Sequence, residues 1–281
     1  MLTTRGCPYV CSYCGCNLIF GHKLRLKSLE NIEKEIKYLK QEFNIEGVWI
    51  VDDTFTINYD HVVGVSRILK KYGLVWGCHS RVNTINEKMI TIMKDCGCVQ
   101  LDFGIESGSQ RILDDIIDKR IKIKQVIDAF NLTRKYHVRT LASFIIGLPS
   151  ETYGDLNKTI KLADTIKADV YVFNIATPLP GTRLYDMVGE EITPQEYSFL
   201  DFAGSSITEK LNKSKLSNLI KIKTNLQFKY DLKCLLKGVF SVDNLKFFLS
   251  RGNKYQRIKF TLNHSARFLL QSLRIPVKTA F

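Results

Sequence analysis

The sequence contains no apolar run near the roughly 18 consecutive residues that mark a membrane-spanning helix, and no signal peptide precedes its first cysteines. Its eight cysteines are not arranged as a disulfide framework would be in a chain of 281 residues. These absences argue against a membrane-spanning protein and against a small secreted domain held by disulfides. We expect a protein of the reducing cytoplasm. Because 45% of the residues are hydrophobic and only 6 are proline, we expect one large α/β domain and a smaller appendage.

Acidic residues are scarce near the C-terminus. The net charge of the chain is +13, and residues 190–281 carry 16 Lys and Arg against 7 Asp and Glu. Residues 1–189 carry 25 Lys and Arg against 21 Asp and Glu. The positive excess makes an anionic partner of the C-terminal region a hypothesis, with peripheral contact to a membrane face as its main form. A solvated helical surface explains the same charge, and because no nucleic-acid-binding motif is present we do not expect a nucleic acid partner.

Three cysteines near the N-terminus have the spacing C-x3-C-x2-C, which lets three thiolates converge on one metal centre: Cys7, Cys11 and Cys14. A zinc site would need a fourth ligand, for which Cys16 and His22 are the nearest candidates. A cubane iron–sulfur cluster accepts three thiolates on three irons and leaves its fourth iron open for a substrate or cofactor. Tyr13, just before the last of the three cysteines, would place a flat apolar face beside that iron.

Helix-like and strand-like stretches alternate through the first two thirds of the chain. Apolar residues recur at helical spacing after Ser28, a suitable N-cap residue. Short apolar runs of the buried-strand type predict strands over 2–4, 47–51, 75–79, 99–103, 140–146 and 169–176. Each strand is followed by a crossover long enough for parallel pairing. The fold class predicted for residues 1–189 is therefore α/β, an open (β/α)6 partial TIM barrel.

The alternation stops near residue 190. Apolar residues at helical spacing predict three further helices, near Leu216–Leu226, near Leu232–Phe240 and near Phe268–Leu273. Residues 190–281 are therefore predicted to form a basic, mainly helical C-terminal extension.

Five motifs lie along the chain, and the first of them contains Cys7. They read Thr-Thr-Arg-Gly-Cys-Pro-Tyr (3–9), Asp-Asp-Thr-Phe (52–55), Phe-Gly-Ile-Glu-Ser-Gly-Ser (103–109), Ile-Ile-Gly-Leu-Pro (145–149) and Pro-Leu-Pro-Gly-Thr (178–182). With the cysteine spacing, they resemble the radical S-adenosylmethionine (SAM) superfamily. Within it they are similar to the branch that usually carries an N-terminal cobalamin-binding domain. Two departures are Ser150, where that branch usually has glycine, and the start of the chain at Met1, which leaves no room for the cobalamin domain.

The resemblance implies that Cys7, Cys11 and Cys14 ligate a [4Fe-4S] cluster whose open iron binds SAM. It also implies that Tyr13, Glu106 and Gly147 lie on SAM. We expect Ser107, beside Glu106, to help hold the ribose hydroxyls or the amino group.

Three residues at the predicted strand ends suit SAM. Asp53 is suited to accept hydrogen bonds from its ammonium group, Arg81 to pair with its carboxylate, and Gly147 to let the adenine lie against the backbone. Bland alternatives remain open for two of them, since Asp53 could cap a turn and Arg81 could be a solvated loop residue. We expect His79, at the end of the third strand, to be a hydrogen-bonded core histidine.

The predicted function is that of a radical SAM enzyme. The [4Fe-4S] cluster would reductively cleave SAM to a 5′-deoxyadenosyl radical that acts on an unidentified small-molecule or lipid-like substrate. The resemblance includes methyltransferases and biosynthetic enzymes, with cobalamin as a further cofactor. An external electron donor of the flavodoxin or ferredoxin type is implied. One alternative is a methylthiotransferase-like enzyme acting on tRNA or protein, and another is a non-catalytic iron–sulfur or zinc-binding fragment.

Overall fold

The computed structural model describes residues 1–188, 193, 206–212 and 215–239. Its strands are β1 (Thr4–Arg5), β2 (Arg25–Leu26), β3 (Gly47–Ile50), β4 (Val75–Ser80), β5 (Cys98–Glu106), β6 (Arg139–Ile146) and β7 (Val170–Ile175). Its helices are α1 (Cys16–Phe20), α2 (Leu29–Phe43), α3 (Tyr59–Lys71), α4 (Glu87–Asp95), α5 (Ile123–Lys135), α6 (Tyr153–Ile166), α7 (Arg183–Asp186), α8 (Ser206–Asn212) and α9 (Leu216–Val239). Short turns of 3-10 helix lie at Phe55–Ile57 and Val82–Thr84, and a π-helical turn lies at Ile112–Ile116.

Five strands form one parallel sheet in the order in which they follow one another in the chain, from β3 to β7. Gly47 of β3 pairs with Val75 of β4, and Phe144 of β6 pairs with Phe173 of β7. A helix follows each of the first four strands, as the parallel crossovers require. The carboxyl ends of all five strands therefore lie at one edge of the sheet, which is where barrels of this type place their chemistry.

The N-terminal residues differ from the first of the six predicted strands, which was placed over residues 2–4. The Met1 amino group donates to the Trp49 carbonyl oxygen at 2.7 Å, and the Val51 amide donates to the Met1 carbonyl oxygen at 3.0 Å. Met1 thus lies beside β3, but the assigned strand is β1, which pairs with β2 in an antiparallel ribbon of its own. The Asp52 carboxylate, just after β3, accepts bonds from both the amide and the hydroxyl of Thr3 and so holds this segment beside the end of β3.

Helix starts in the sheet domain follow the polar residues that precede them. The Ser28 hydroxyl accepts from the Asn31 amide at 3.3 Å, and the Asn86 side chain accepts from the Met89 amide at 2.9 Å. Such caps satisfy amide groups that have no partner within the helix. The predicted start of α2 after Ser28 therefore agrees with the structure.

The hydrophobic core lies between the helices and one face of the sheet. Its largest fully buried side chains in this region include Trp76, Phe103, Phe130, Phe144 and Phe173. Burial of one such side chain stabilises the fold by about 1.5–3 kcal/mol. Some of the alternate residues of the same strands line a cavity instead, among them His79, Asp102 and Ser143. The strand alternation therefore separates a packed face from a concave face that is available for chemistry.

The chain divides into two compact units, Met1–Leu219 and Ile220–Phe281. The helix α9 is continuous from Leu216 to Val239, although two separate helices were predicted there, because no glycine or proline interrupts residues 216–237. The boundary predicted between residues 189 and 190, and the helix near residues 268–273, fall outside the described residues. None of the helices in the described ranges is long and apolar enough to cross a membrane.

Candidate active site

The cysteine loop lies between β1 and α1, at the carboxyl edge of the sheet. The thiols of Cys7, Cys11 and Cys14 are free and line one cavity of about 430 Å³. Cys7 is buried, whereas Cys11 and Cys14 are partly exposed. Burial raises the pKa of the Cys7 and Cys14 thiols. Metal ligation requires thiolates, so binding of a metal centre would displace these protons.

Hydrogen bonds of Ser12 fix the loop to two distant parts of the chain. The Ser12 amide donates to the Ile117 carbonyl oxygen at 2.8 Å, and the Ser12 hydroxyl donates to the Ile116 carbonyl oxygen at 2.7 Å. The Leu184 amide donates to the Ser12 carbonyl oxygen at 2.9 Å. Gly6 has a φ of +88°, and a Cβ there would lie 2.3 Å from the Lys23 carbonyl oxygen, so this turn requires glycine. These bonds and the glycine turn therefore position the loop.

The donor set fits a cubane cluster better than a single ion. In the part of the chain that the structure describes, no three His, Cys, Asp or Glu side chains are close enough together to bind one metal ion. Ligands of a cubane bind different irons and so lie farther apart than ligands of one ion. The three thiols line one cavity, as the ligands of one cluster would. Cys16, the candidate fourth zinc ligand, is buried, and burial together with the nearby Asp53 carboxylate raises the pKa of its thiol.

A buried ion pair ties the cysteine loop to the end of β5. Glu106 Oε1 accepts a hydrogen bond from the Tyr13 hydroxyl at 2.7 Å and from Lys119 Nζ at 2.8 Å. The side chains of Lys119 and Glu106 are only 4% and 5% exposed. Burial, and then the Glu106 charge, raise the pKa of Tyr13 well above its usual value, which keeps the phenol protonated as a donor. Tyr13 and Glu106 therefore meet in space, and their predicted contacts with SAM stay predictions.

The backbone is shaped to bring Glu106 to this position. Glu106 has a φ of +69°, which is uncommon for a residue other than glycine. The pairing of β5 with β6 shifts register between Gly104 and Glu106, an irregularity of the β-bulge type that re-aims side chains. A Cβ on Gly104 would lie 2.3 Å from Glu106 Oε1. A strained residue held by its surroundings is a feature found at functional sites.

The other predicted SAM residues fall into two groups. Asp53 is exposed and lines the same cavity as the three thiols, and Arg81 also lines it. Ser107 is fully buried and turns to the Ser109 amide, which donates to its hydroxyl at 3.1 Å. Gly147 has a φ of +77° and donates its amide to Glu151 at 2.7 Å. Neither Ser107 nor Gly147 lines this cavity or the smaller cavity beside it, which is described below. Their predicted contacts with SAM therefore stay predictions.

Two residues on the concave face of the sheet were not predicted to line the site. The His79 side chain is 46% exposed, and its Nδ1 lies 4.0 Å from Asp102 Oδ2. Asp102 Oδ1 accepts from the Gln100 side chain at 2.9 Å, and burial raises the pKa of the Asp102 carboxyl. The expectation of a core histidine was therefore wrong. In β4, His79 lies between the buried Cys78 and Ser80, and its side chain faces the cavity.

A second cavity of about 290 Å³ adjoins the first. It shares Tyr13, Cys14, Glu106 and Ser143 with the first cavity and extends over β6 and β7. Asn174 of β7 lines it and donates to the Ser143 hydroxyl at 3.2 Å. The two cavities therefore lie side by side on the concave face. One could hold a metal centre with its cofactor, and the other a substrate.

Comparison with known proteins gives a consistent set of similarities. Residues 1–163 match the Radical SAM superfamily. An uncharacterized methyltransferase from Pyrococcus horikoshii is 43% identical over 188 residues, which cover 66% of this chain and 41% of that protein. A cytidylyl-2-hydroxyethylphosphonate methyltransferase from Streptomyces wedmorensis is 28% identical over 192 residues, 66% of this chain and 36% of that protein. The chain thus spans about two fifths of the length of these relatives.

Two further comparisons bear on the fold and on the alternative function. The ribosomal protein uS12 methylthiotransferase RimO from Clostridioides difficile is 25% identical over 233 residues, 77% of this chain and 52% of that protein. The radical SAM methyltransferase TsrM from Kitasatospora setae, solved with cobalamin and a [4Fe-4S] cluster, superposes with a TM-score of 0.61 at 18% identity. That match covers 69% of this chain and 38% of the solved chain. At this identity the likeness shows the fold, and the predicted α/β partial barrel is confirmed.

Proposed function

Because this chain belongs to the radical SAM superfamily, we propose that it is the catalytic core of an enzyme that cleaves SAM. The main support is that one cavity is lined by Cys7, Cys11 and Cys14 and also by the buried Glu106 and Lys119. When bound, a [4Fe-4S] cluster supplies the electron that splits SAM into methionine and a 5′-deoxyadenosyl radical. The three thiolates would hold this cluster.

The residues of the cavity wall divide the remaining tasks. Asp53, exposed beside Cys14 and Cys16, would accept hydrogen bonds from an ammonium group. Glu106, fixed by Tyr13 and Lys119, would orient the polar end of SAM without moving itself, because its carboxylate is already anchored. Ser107 and Gly147 would not contact SAM through this cavity. Their hydrogen bonds would instead stabilise the loops that follow β5 and β6.

The substrate would enter from the concave face. His79 and Asp102 place an imidazole and a carboxylate within the cluster cavity, so a small molecule that donates hydrogen bonds suits this wall. Enclosure of both cofactor and substrate by one cavity brings the reacting atoms together and limits side reactions with water. A lipid-like substrate could use the apolar part of the wall, to which Leu141 and Val172 contribute.

Methyl transfer is the reaction class that the named relatives favour. The match to a methylthiotransferase keeps the alternative of sulfur insertion into tRNA or protein. Cobalamin remains an expectation of the resemblance, and no step proposed here depends on it. A cytoplasmic location, a flavodoxin-type or ferredoxin-type electron donor and membrane contact through residues 190–281 complete the proposal. Flotation with anionic and neutral liposomes tests the last point, which fails if the protein binds neither.

The decisive experiment is anaerobic reconstitution with iron and sulfide, followed by reduction with dithionite and chromatography for 5′-deoxyadenosine. We expect 5′-deoxyadenosine to form in proportion to SAM consumed. A cluster that forms but leaves SAM intact would contradict the proposal and favour a non-catalytic iron–sulfur protein. Iron-free protein that binds zinc tightly would favour the structural alternative.

A further inference from the structure

Arg81 lies immediately after β4 and contacts the cysteine loop directly. It is only 5% exposed, and its Nη1 donates to Cys11 Sγ at 3.4 Å. Its Nη2 donates to the Lys119 carbonyl oxygen at 2.5 Å, and its Nε donates to Asn83 Oδ1 at 3.3 Å. Its guanidinium carbon lies 3.6 Å from the centre of the Tyr9 ring. A buried cation is therefore fixed in orientation with one N–H directed at a cluster thiol.

We propose that Arg81 is a positioning residue that acts through Cys11 to raise the reduction potential of the cluster. The inference rests on the proposed function, because it assumes that Cys11 ligates a [4Fe-4S] cluster. Reduction adds one electron, supplied by dithionite or by an external flavodoxin-type or ferredoxin-type donor, and so adds one negative charge to the cluster. A nearby cation and an N–H bond to a ligand sulfur both stabilise that added charge.

The surroundings make this effect larger than a surface arginine would produce. Arg81 is buried, so water and salt screen its charge only weakly. The Tyr9 ring and the Lys119 carbonyl oxygen hold the guanidinium plane, so the bond to Cys11 is preorganised. A lysine at this position keeps the charge but lacks the planar fork that reaches all three acceptors at once.

Two substitutions and a control test the inference in the full chain. Arg81→Gln removes the charge, Arg81→Lys keeps it, and Arg134→Gln removes an exposed arginine of α5 that donates to the Ile166 carbonyl oxygen. Each reconstituted protein is assayed for iron, and its cluster is titrated against potential while the reduced state is followed by electron paramagnetic resonance. We expect Arg81→Gln to lower the ratio of reduced to oxidised cluster at least about tenfold at a fixed potential, a shift of about 59 mV for one electron.

The lysine variant should fall between the glutamine variant and the native protein, and the Arg134 control should match the native protein. A loaded Arg81→Gln protein with the native midpoint potential overturns the inference. If that variant does not hold iron, Arg81→Lys decides, and an unchanged potential there also overturns it. Loss of iron from both variants overturns it too, because Arg81 would then retain the cluster rather than set its potential.

The outcome is separable from that of the proposed function. The potential of the native cluster can be measured whether or not SAM is cleaved. One outcome is that the native protein does not cleave SAM, while the Arg81→Gln variant has a lower cluster midpoint potential than the native protein. That result would refute the proposed function and support the role of Arg81.

Discussion

Replacement of Lys119 by methionine tests the buried ion pair that joins β5 to the cysteine loop. Lys119 Nζ lies 2.8 Å from Glu106 Oε1, and the two side chains are 4% and 5% exposed. At an effective dielectric constant of 20, the attraction between unit charges at this distance is about 6 kcal/mol. Desolvation of both groups offsets much of it, so the pair is not a large net source of stability. Removal of one partner is different, because it leaves a buried charge uncompensated.

We expect Lys119→Met to lower the free energy of unfolding by about 3–5 kcal/mol. The double substitution Lys119→Met, Glu106→Gln should recover most of this loss, since neither remaining group then carries a charge. Lys122→Met is the matched control, because Lys122 is 65% exposed and pairs with Asp114 at 3.0 Å. An exposed pair of this kind contributes only about 0–1 kcal/mol.

The assay is guanidinium chloride denaturation of the cluster-free protein under reducing conditions, followed by tryptophan fluorescence from Trp49 and the buried Trp76. With a slope of about 5 kcal/mol per molar, a loss of 3–5 kcal/mol moves the midpoint by roughly 0.6–1 M. The reasoning is refuted if Lys119→Met moves the midpoint no further than the Lys122 control. It is also refuted if the double variant is less stable than the single one.

Three further predictions concern other parts of the site. Single alanine substitutions at each of the three ligating cysteines should abolish the cluster absorbance after reconstitution, whereas Cys96→Ala should keep it; a retained cluster removes that residue as a ligand. Burial raises the pKa of Glu151 from 4.5 to about 7, so the folded state holds a proton that the unfolded state has released, and stability should fall as pH rises through this interval. Glu151→Gln should flatten that fall in denaturation midpoints measured across the interval, and an unchanged slope would contradict it. Gly108→Ala should destabilise the fold by about 1–3 kcal/mol in thermal unfolding, because a Cβ there would lie 2.4 Å from a backbone oxygen of α6; Gly154→Ala, with no atom nearer than 3.4 Å, should cost nothing.

The sequence predicted the features that depend on periodicity and spacing. The five strands of the sheet are short apolar runs separated by amphipathic helices, so both their positions and their parallel order followed from the pattern. The superfamily, predicted from the motifs, is confirmed by the match over residues 1–163. The hydrogen bond between Tyr13 and Glu106 was not predicted, although the motifs singled out both residues.

What was missed lies where neither period nor motif carries information. Lys119 sits in an irregular loop between two residues of positive φ, Asp118 and Arg120, and only the folded chain brings its ammonium to Glu106. His79 was misassigned because an apolar stretch does not reveal which alternate residues face the helices. The direction of the Arg81 guanidinium depends on the ring of Tyr9, some seventy residues away in sequence, and no local rule predicts it.

The clamp on the cysteine loop also fixes the order of events when the protein is made. Ser12 is held by Ile116 and by Leu184, and Arg183 donates to the Val10 carbonyl oxygen across 173 residues of sequence. At about 5–20 residues per second, a ribosome needs roughly 9–35 s to travel that far. The cysteines leave the ribosome before Arg183 and Leu184, so the loop gains these contacts only after that interval. Until then its thiols lack the bonds that fix them in the folded protein.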